Sequence, residues 1–174
     1  LHEGQRKVAA PGLLRPGLAL PRGARHAPRA LPRAGLAGLA AARRAPNGEV
    51  VLVDADLRAV RSARYTLEAN GIGNGEVLLS DGVAYAFGGQ PFDVVITNPP
   101  FHQGRKVDHD VAHQFVRDSH GVLRDGGTLF LVANRFIGYD DLVRQTFGNV
   151  ATAYAGSSYH VVTATASGQA DLDD

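Results

Sequence analysis

The chain has 174 residues, 44% of them hydrophobic and 20% charged, the composition of one folded domain with a core of its own. It contains no cysteine, which excludes a disulfide framework, a thiolate metal site and a cysteine nucleophile. A net charge of +1 conceals an uneven distribution: residues 1–46 hold nine basic residues against one acidic, a net of +8, and residues 47–174 hold nine basic against sixteen acidic, a net of −7.

No apolar run approaches the roughly 20 residues that a membrane-spanning helix needs, so no membrane partner is expected. The chain begins at Leu1 and has no methionine, and it reads as a fragment. In residues 1–46, Pro11, Pro16, Pro21, Pro28 and Pro32 interrupt any continuous helix. Val8 is the single β-branched residue there, so no strand is expected. The segment reads as poorly ordered or corrupted, with a basic arm for nucleic acid or a transit peptide as alternatives. The lack of serine and the prolines oppose the transit peptide. Only Gly35 to Arg44 looks helical, with Leu36, Leu39 and Ala40 on one face and Pro46-Asn47-Gly48 ending it. The domain is expected to occupy residues 47–174.

From Glu49 the pattern becomes regular. Val50-Val51-Leu52-Val53, followed by Asp54, reads as a buried parallel strand ending in a carboxylate. Asp56 can cap a helix whose stripe is Val60, Ala63 and Leu67, with Asn70-Gly71 as its stop. Glu76 to Leu79 is the next strand, ending at Ser80-Asp81. Phe92 to Thr97 is a third, ending at Asn98-Pro99-Pro100-Phe101. Asp108 to Leu123 is a helix with Val111, Phe115 and Val122 on one face beside Ala112, Val116 and Ser119. Asp125-Gly126-Gly127 turns the chain into strand Thr128 to Ala133, and a helix from Tyr139 to Phe147 follows. Two strands near Val150–Ala155 and Tyr159–Thr165 flank Gly156-Ser157-Ser158, a hairpin connection that makes them antiparallel. Alternating strands and helices predict an α/β fold with a mostly parallel sheet and right-handed crossovers.

Ligands of such sheets bind outside the carboxyl ends of the strands, where Asp54, Ser80-Asp81 and Asn98 fall. Asp54 ends the strand after which an adenosine-containing cofactor usually places its ribose, and a carboxylate there accepts both hydroxyls. Asp81 is placed to accept from an adenine amino group. A helix cap or loop role remains open for each. Asn98-Pro99-Pro100-Phe101 is more specific. The prolines fix the backbone and remove two donors, the asparagine adds a side-chain carbonyl, and the aromatic offers a face. That set suits a flat molecule bearing an exocyclic amine.

The same four residues resemble the motif of class I S-adenosylmethionine-dependent amino-methyltransferases acting on nucleobases or glutamine. The stretch FDVVITNPPFHQG, and later DGGTLFLVANRFIGYDDLVRQTFGNV, are similar to the catalytic half of the ribosomal RNA guanine-N2 methyltransferases of the 16S small-subunit type. The likeness covers about residues 48–165. It implies a Rossmann-like class I methyltransferase sheet, mostly parallel with an antiparallel terminal strand and an incomplete amino-terminal part. It further implies S-adenosyl-L-methionine as cofactor, ribosomal RNA or the small ribosomal subunit as partner, and a cytoplasmic location.

Carried over, Asn98, Pro99, Pro100 and Phe101 are the catalytic residues. Asn98 and the Pro99 carbonyl accept the amine protons, and Phe101 stacks on the flipped guanine. Asp54, Asp81, Asn98 and Gly35 hold the cofactor. Phe101, His102, Arg105 and Lys106 contact the substrate, although His102 is equally suited to satisfying a backbone group. No metal is required. Methylation of DNA adenine or cytosine, or of protein glutamine, by the same turn is the alternative activity.

One departure stands out. The family carries an Asp-x-Gly-x-Gly-x-Gly turn before the Val50 strand. Here the corresponding place reads Leu31-Pro32-Arg33-Ala34-Gly35-Leu36-Ala37-Gly38, with only Gly35 and Gly38 available as its tail. Either residues 1–34 are a corrupted translation joined to a sound domain, or this copy is a folded remnant that has lost cofactor binding. His109 and His113, one turn apart, superficially resemble a zinc helix but lack a third ligand. Arg58, Arg61 and Arg64 read as an exposed helix face. A body with a net charge of −7 binds nucleic acid poorly by charge alone.

Overall fold

Val50 to Val53 are buried on consecutive positions, which a strand achieves only inside a sheet covered on both faces. The computed structural model describes residues 29–32, 36–80, 91–99 and 106–167. Their elements run β1 (Arg29–Pro32), α1 (Leu36–Arg44), β2 (Glu49–Asp54), α2 (Leu57–Ala69), β3 (Gly75–Leu79), β4 (Phe92–Thr97), α3 (Lys106–Val122), β5 (Leu123–Asn134), α4 (Tyr139–Phe147), β6 (Ala151–Ala155) and β7 (Tyr159–Thr165). The strands form one sheet in the order β3-β2-β1-β4-β5-β7-β6. The first five are mutually parallel, and β7 is antiparallel to both β5 and β6. This is the expected Rossmann-like arrangement with an antiparallel end.

The period-2 alternation of β2 divides the core between the two faces. Val50 and Leu52 pack with Ala41 and Ala42 of α1 and with Val60, Ala63 and Leu67 of α2. Val51 and Val53 lie in the cluster that holds Val116 of α3 and Leu142, Val143 and Phe147 of α4. The sheet is thus sandwiched between two helical layers. Asp56 caps α2 by accepting the Arg58 backbone N–H at 2.8 Å, and the chain turns out of the helix at Asn70-Gly71, as its sequence predicts.

The amino-terminal expectation needs correction. No strand was foreseen before Gly35, yet β1 lies between β2 and β4 near the middle of the sheet. Arg29 and Ala30 pair with Glu49 and Val50 of β2, and Ala30, Leu31 and Pro32 pair with Val94, Val95 and Ile96 of β4. Tertiary pairing overrides the weak local propensity of Arg-Ala-Leu-Pro, and the proline stands at the last position, where it interrupts least. With the β1–α1–β2 unit in place, the sheet begins ahead of residue 47.

Two further boundaries move. Helix α3 starts at Lys106, two residues before the expected Asp108. Strand β5 starts at Leu123 rather than Thr128. Leu123 pairs with Phe92 and Thr128 with Val94, so residues 124–127 form an excursion within the strand. Gly126 takes φ +72° there, and its N–H donates to Ala166 O at 2.8 Å. Arg124 Nε donates to the buried Asp93 Oδ1 at 2.6 Å, which ties the excursion to β4.

Candidate functional site

Because β1 to β5 run in parallel, their carboxyl ends share one edge. Pro32 ends β1 opposite Ile96, two residues short of Asn98. Carried two residues past its last pair, Ala30 with Val50, the β1–β2 register puts Pro32 level with Leu52, two residues short of Asp54. Asp54 and Asn98 therefore stand at the same height on the two strands that flank β1. At about 4.8 Å per strand spacing they are roughly 10 Å apart across the gap. From β1 the chain crosses toward β2, and from β4 it crosses the opposite way toward β5. The order of connections reverses between β1 and β4, which is where doubly wound sheets open a ligand crevice.

Local hydrogen bonds shape the β2 side of this edge. Asp54 Oδ1 accepts the Asp56 N–H at 3.0 Å, and Asp54 O accepts the Ser80 N–H at 3.0 Å. The first bond orients the carboxylate and the second aligns the ends of β2 and β3. The Arg58 backbone N–H, followed by the Arg58 side chain, holds the Asp56 carboxyl below its ordinary value. Leu57, opening α2, and Leu79, which pairs with Asp54 at the end of β3, are exposed. That is apolar surface beside a carboxylate, suited to a flat heterocycle attached to a sugar.

On the far side, β4 is buried along its whole length, so the residue that follows it is rigidly placed. Asn98 is half-buried and Pro99 is buried. The adjacent β5 runs three residues past the level of Thr97, because Thr97 pairs with Leu131. It ends at Asn134, whose Oδ1 accepts the Phe136 N–H at 3.1 Å.

The structure thus brings Asp54, Asn98 and Pro99 to one edge and opens α3 there with Lys106. Gly35, Asp81, Pro100, Phe101, His102 and Arg105 lie outside the described residues. Gly38 has a definite role. A Cβ at this position would run into the Leu52 side chain, 2.6 Å from its Cγ, so Gly38 is the residue that lets α1 lie close against β2. In dinucleotide-binding turns the last glycine of the fingerprint serves that packing. Among the described residues, no three His, Asp or Glu side chains converge as a metal site. No helix among them is long and apolar enough to cross a membrane. Asn134-Arg135-Phe136, within the second stretch that resembles the family, has no role legible in the sequence, and β5 carries it to the same edge.

The profile of the methyltransferase small domain matches residues 33–163. The chain belongs to that family. It is 44% identical over 127 residues to the ribosomal RNA small subunit methyltransferase C of Hahella chejuensis, covering 73% of this chain and 36% of the relative. The protein of the same name from Pseudomonas entomophila is 36% identical over 132 residues, covering 76% and 39%. Among solved structures, the T. thermophilus 16S rRNA N2 G1207 methyltransferase (RsmC), determined with AdoMet and guanosine, superimposes with a TM-score of 0.71 at 35% identity. The match covers 80% of this chain and 38% of that one. TrmN from Thermus thermophilus superimposes at 0.63 with 23% identity, which shows the shared fold. The chain therefore spans less than two fifths of the length of the relatives named methyltransferase C.

Proposed function

We propose that this domain transfers a methyl group from S-adenosyl-L-methionine to the exocyclic N2 amine of a guanine in ribosomal RNA of the small subunit, in the cytoplasm. The observation that carries this reading is the placement of Asp54 and Asn98 at equal height on either side of β1. A cofactor lying across that gap would have its ribose at Asp54 and its sulfonium methyl toward Asn98. The relatives' names supply the substrate class, and the solved relative holds AdoMet and guanosine together.

The residues present fit such a cofactor on chemical grounds. Asp54 offers an oriented carboxylate to sugar hydroxyls, and Leu57 and Leu79 offer apolar surface to an adenine. When bound, the cofactor would supply an electrophilic methyl group. This chain's part is positioning. The guanine 2-amino lone pair is delocalised into the ring and weakly nucleophilic. Hydrogen bonds from its two N–H groups to the Asn98 side-chain carbonyl and the Pro99 carbonyl would turn that lone pair toward the methyl group, and the proton that the methylated amine sheds would pass to solvent. Phe101, which follows Pro100, supplies the stacking face, with His102, Arg105 and Lys106 as substrate contacts. Asp81 and Gly35 complete the proposed cofactor set. The domain is proposed to begin by Arg29, since β1 is part of the sheet that forms the edge.

A second reading has a specific observation behind it. Three residues, Arg33-Ala34-Gly35, connect β1 to α1, and they lack the acidic residue and first glycines of the family turn. A folded remnant without cofactor affinity follows if that turn is essential. Calorimetric titration with S-adenosylmethionine separates the two, because the remnant shows no heat while keeping its melting transition. For the active domain, small ribosomal subunits and labelled cofactor should yield label on guanine N2. Label on adenine, cytosine or a protein glutamine would reassign the substrate.

A further inference from the structure

Phe136 is 87% exposed, more than any other large apolar side chain among the described residues. Isolated exposed apolar residues are ordinary. Three features set this one apart. The first is location. Five large apolar side chains are exposed among the described residues: Leu57, Tyr65, Leu79, Phe136 and Tyr159. All except Tyr65 stand at the carboxyl edge of the sheet. Leu79 pairs with Asp54, and Leu57 opens the helix that follows it. Phe136 and Tyr159 stand on the β5–β7 side, where Tyr159 pairs with Asn134.

The second feature is rigidity. Asn134 Oδ1 accepts the Phe136 N–H at 3.1 Å, Asn134 O accepts the Ile137 N–H at 3.0 Å, and the partly buried Ile137 packs against the core. The Arg135 N–H donates to Ser158 O at 3.1 Å, and its guanidinium reaches Gly156 O at 3.3 Å. The turn that displays Phe136 is therefore pinned from both sides, although the ring it displays is solvated. The third feature is height. Asn134 lies two residues beyond the level of Asn98 on the neighbouring strand, or roughly 7 Å at about 3.3 Å per residue. An aromatic there reaches a base next to the target rather than the target itself.

We propose that Phe136 and Tyr159, with Arg135 bonded to the Gly156–Ser158 turn beside them, form a stacking platform for unpaired RNA bases that flank the target nucleotide. This inference rests on the reading of the Asn98 site as a nucleobase amine site. Net charge does not hold this occupant: residues 29–174 carry thirteen basic against sixteen acidic residues, a net of −3, so RNA has to be held by contacts other than overall phosphate attraction. Stacking on aromatic faces is independent of that deficit, tolerates any base, and is strengthened by an arginine in the same rim. Extruding a guanine also leaves its neighbours unstacked, and a platform beside the crevice would take them up.

The experiment titrates the full chain into a single-stranded oligoribonucleotide carrying 2-aminopurine beside its guanine, since stacking quenches that base. Binding by the parent should quench the probe. Phe136→Ala should weaken binding roughly 5- to 150-fold, the range that loss of one base–aromatic stack produces. Phe136→Tyr should stay within a few fold of the parent, and Phe136→Leu should behave like the alanine variant because it keeps the apolar bulk and loses the ring. Tyr159→Ala should weaken binding in the same direction. The dependence of affinity on salt should be unchanged by Phe136→Ala, and melting temperatures should match the parent. A parent that does not quench the probe, a Phe136→Leu variant that binds like the tyrosine variant, or alanine variants that alter self-association while leaving RNA affinity intact would each overturn the platform. Methylation of ribosomal subunits is followed in parallel. Absence of label on guanine with the Phe136→Ala defect intact would overturn the substrate reading and uphold the platform. Guanine labelling with unaltered RNA affinity in the variants would do the reverse.

Discussion

Substituting Gly38 by alanine tests whether α1 and β2 pack as the first crossover of the sheet. On an exposed helix the change would stabilise by about 1 kcal/mol through helix propensity alone. Here the added Cβ collides with Leu52, which is 1% exposed and fixed between α1, α2 and the sheet. Forcing extra volume into a packed core costs about 1–3 kcal/mol, so the net expectation is destabilisation by up to about 2 kcal/mol. For a folded unit of this size, that corresponds to a melting temperature lower by roughly 3–8 °C. Leu52→Ala alone should cost about 2–5 kcal/mol by opening a cavity. The double variant is the decisive member of the series. The alanine methyl at position 38 enters the space that the Leu52 branch vacates, so the pair should be more stable than the sum of the two single losses by about 1 kcal/mol or more. Urea unfolding of the four proteins measures the cycle directly. Additive losses, or a Gly38→Ala protein more stable than the parent by the full ~1 kcal/mol of helix propensity, would mean that α1 does not rest on Leu52. The β1–α1–β2 unit would then be misplaced, and with it the argument that the edge between Asp54 and Asn98 is complete.

Three other outcomes follow from the same geometry. Asn98→Ala should reduce methyl transfer by about 10²–10³-fold, the usual effect of losing one well-placed polar group, and leave cofactor affinity within a few fold; turnover and calorimetry measured on the same preparations check the split. Asp54→Asn keeps an acceptor for the Asp56 N–H but removes the charge, and it should weaken S-adenosylmethionine binding roughly 10- to 100-fold in calorimetry without shifting the melting temperature, because a charge-assisted hydrogen bond is lost. The Asp56 carboxyl is held below the ordinary aspartate value by the Arg58 N–H, so its stabilising effect is fully present above that ordinary value and is lost as pH falls through the lowered folded one. The stability difference between parent and Asp56→Ala in urea titrations should therefore be constant from pH 7 to pH 5 and shrink as pH falls below 4, and a difference that stays constant or grows on acidification would refute the charge-assisted cap.

What could be read from the sequence was read where one signal acted locally. The Val50–Val53 run, the Asp56 cap and the Val60, Ala63 and Leu67 stripe each state their structure within a dozen residues, and each is found as written. The shared edge was legible for the same reason. Polar residues at strand ends need only parallel strands to fall on one edge, and Asp54 and Asn98 stand at one level on either side of β1. Strand β1 was illegible because nothing local makes it a strand. Arg29-Ala30-Leu31-Pro32 has no β-branched residue and ends in proline, and its conformation comes from Val50 on one side and Val94, Val95 and Ile96 on the other. The five-residue advance of β5 was hidden likewise. Asp125-Gly126-Gly127 correctly signalled a turn, but only pairing of Leu123 with Phe92 reveals that the strand had already begun before it.

The placement of β1 bears on why the altered turn does not by itself decide the activity. A cofactor turn contributes in two ways: its first residues give the backbone close approach to the ligand, and its last glycine seats the following helix on the sheet. The second contribution survives, since Gly38 meets Leu52 in the required way. The residues proposed for the ribose and the amine, Asp54 and Asn98, follow from β2 and β4, whose pairing with β1 does not involve residues 33–35. Loss of the first contribution alone would weaken cofactor affinity without moving Asp54 or Asn98. Replacing Arg33-Ala34-Gly35 by a longer, glycine-rich turn of the family type should therefore raise S-adenosylmethionine affinity and leave stability nearly unchanged. If that chimera melts at the parent temperature but still gives no heat with the cofactor, the defect lies in Asp54 or its neighbours and the proposed orientation across β1 is wrong. If binding appears, the β2 and β4 ends were already set, and the missing part was confined to the turn.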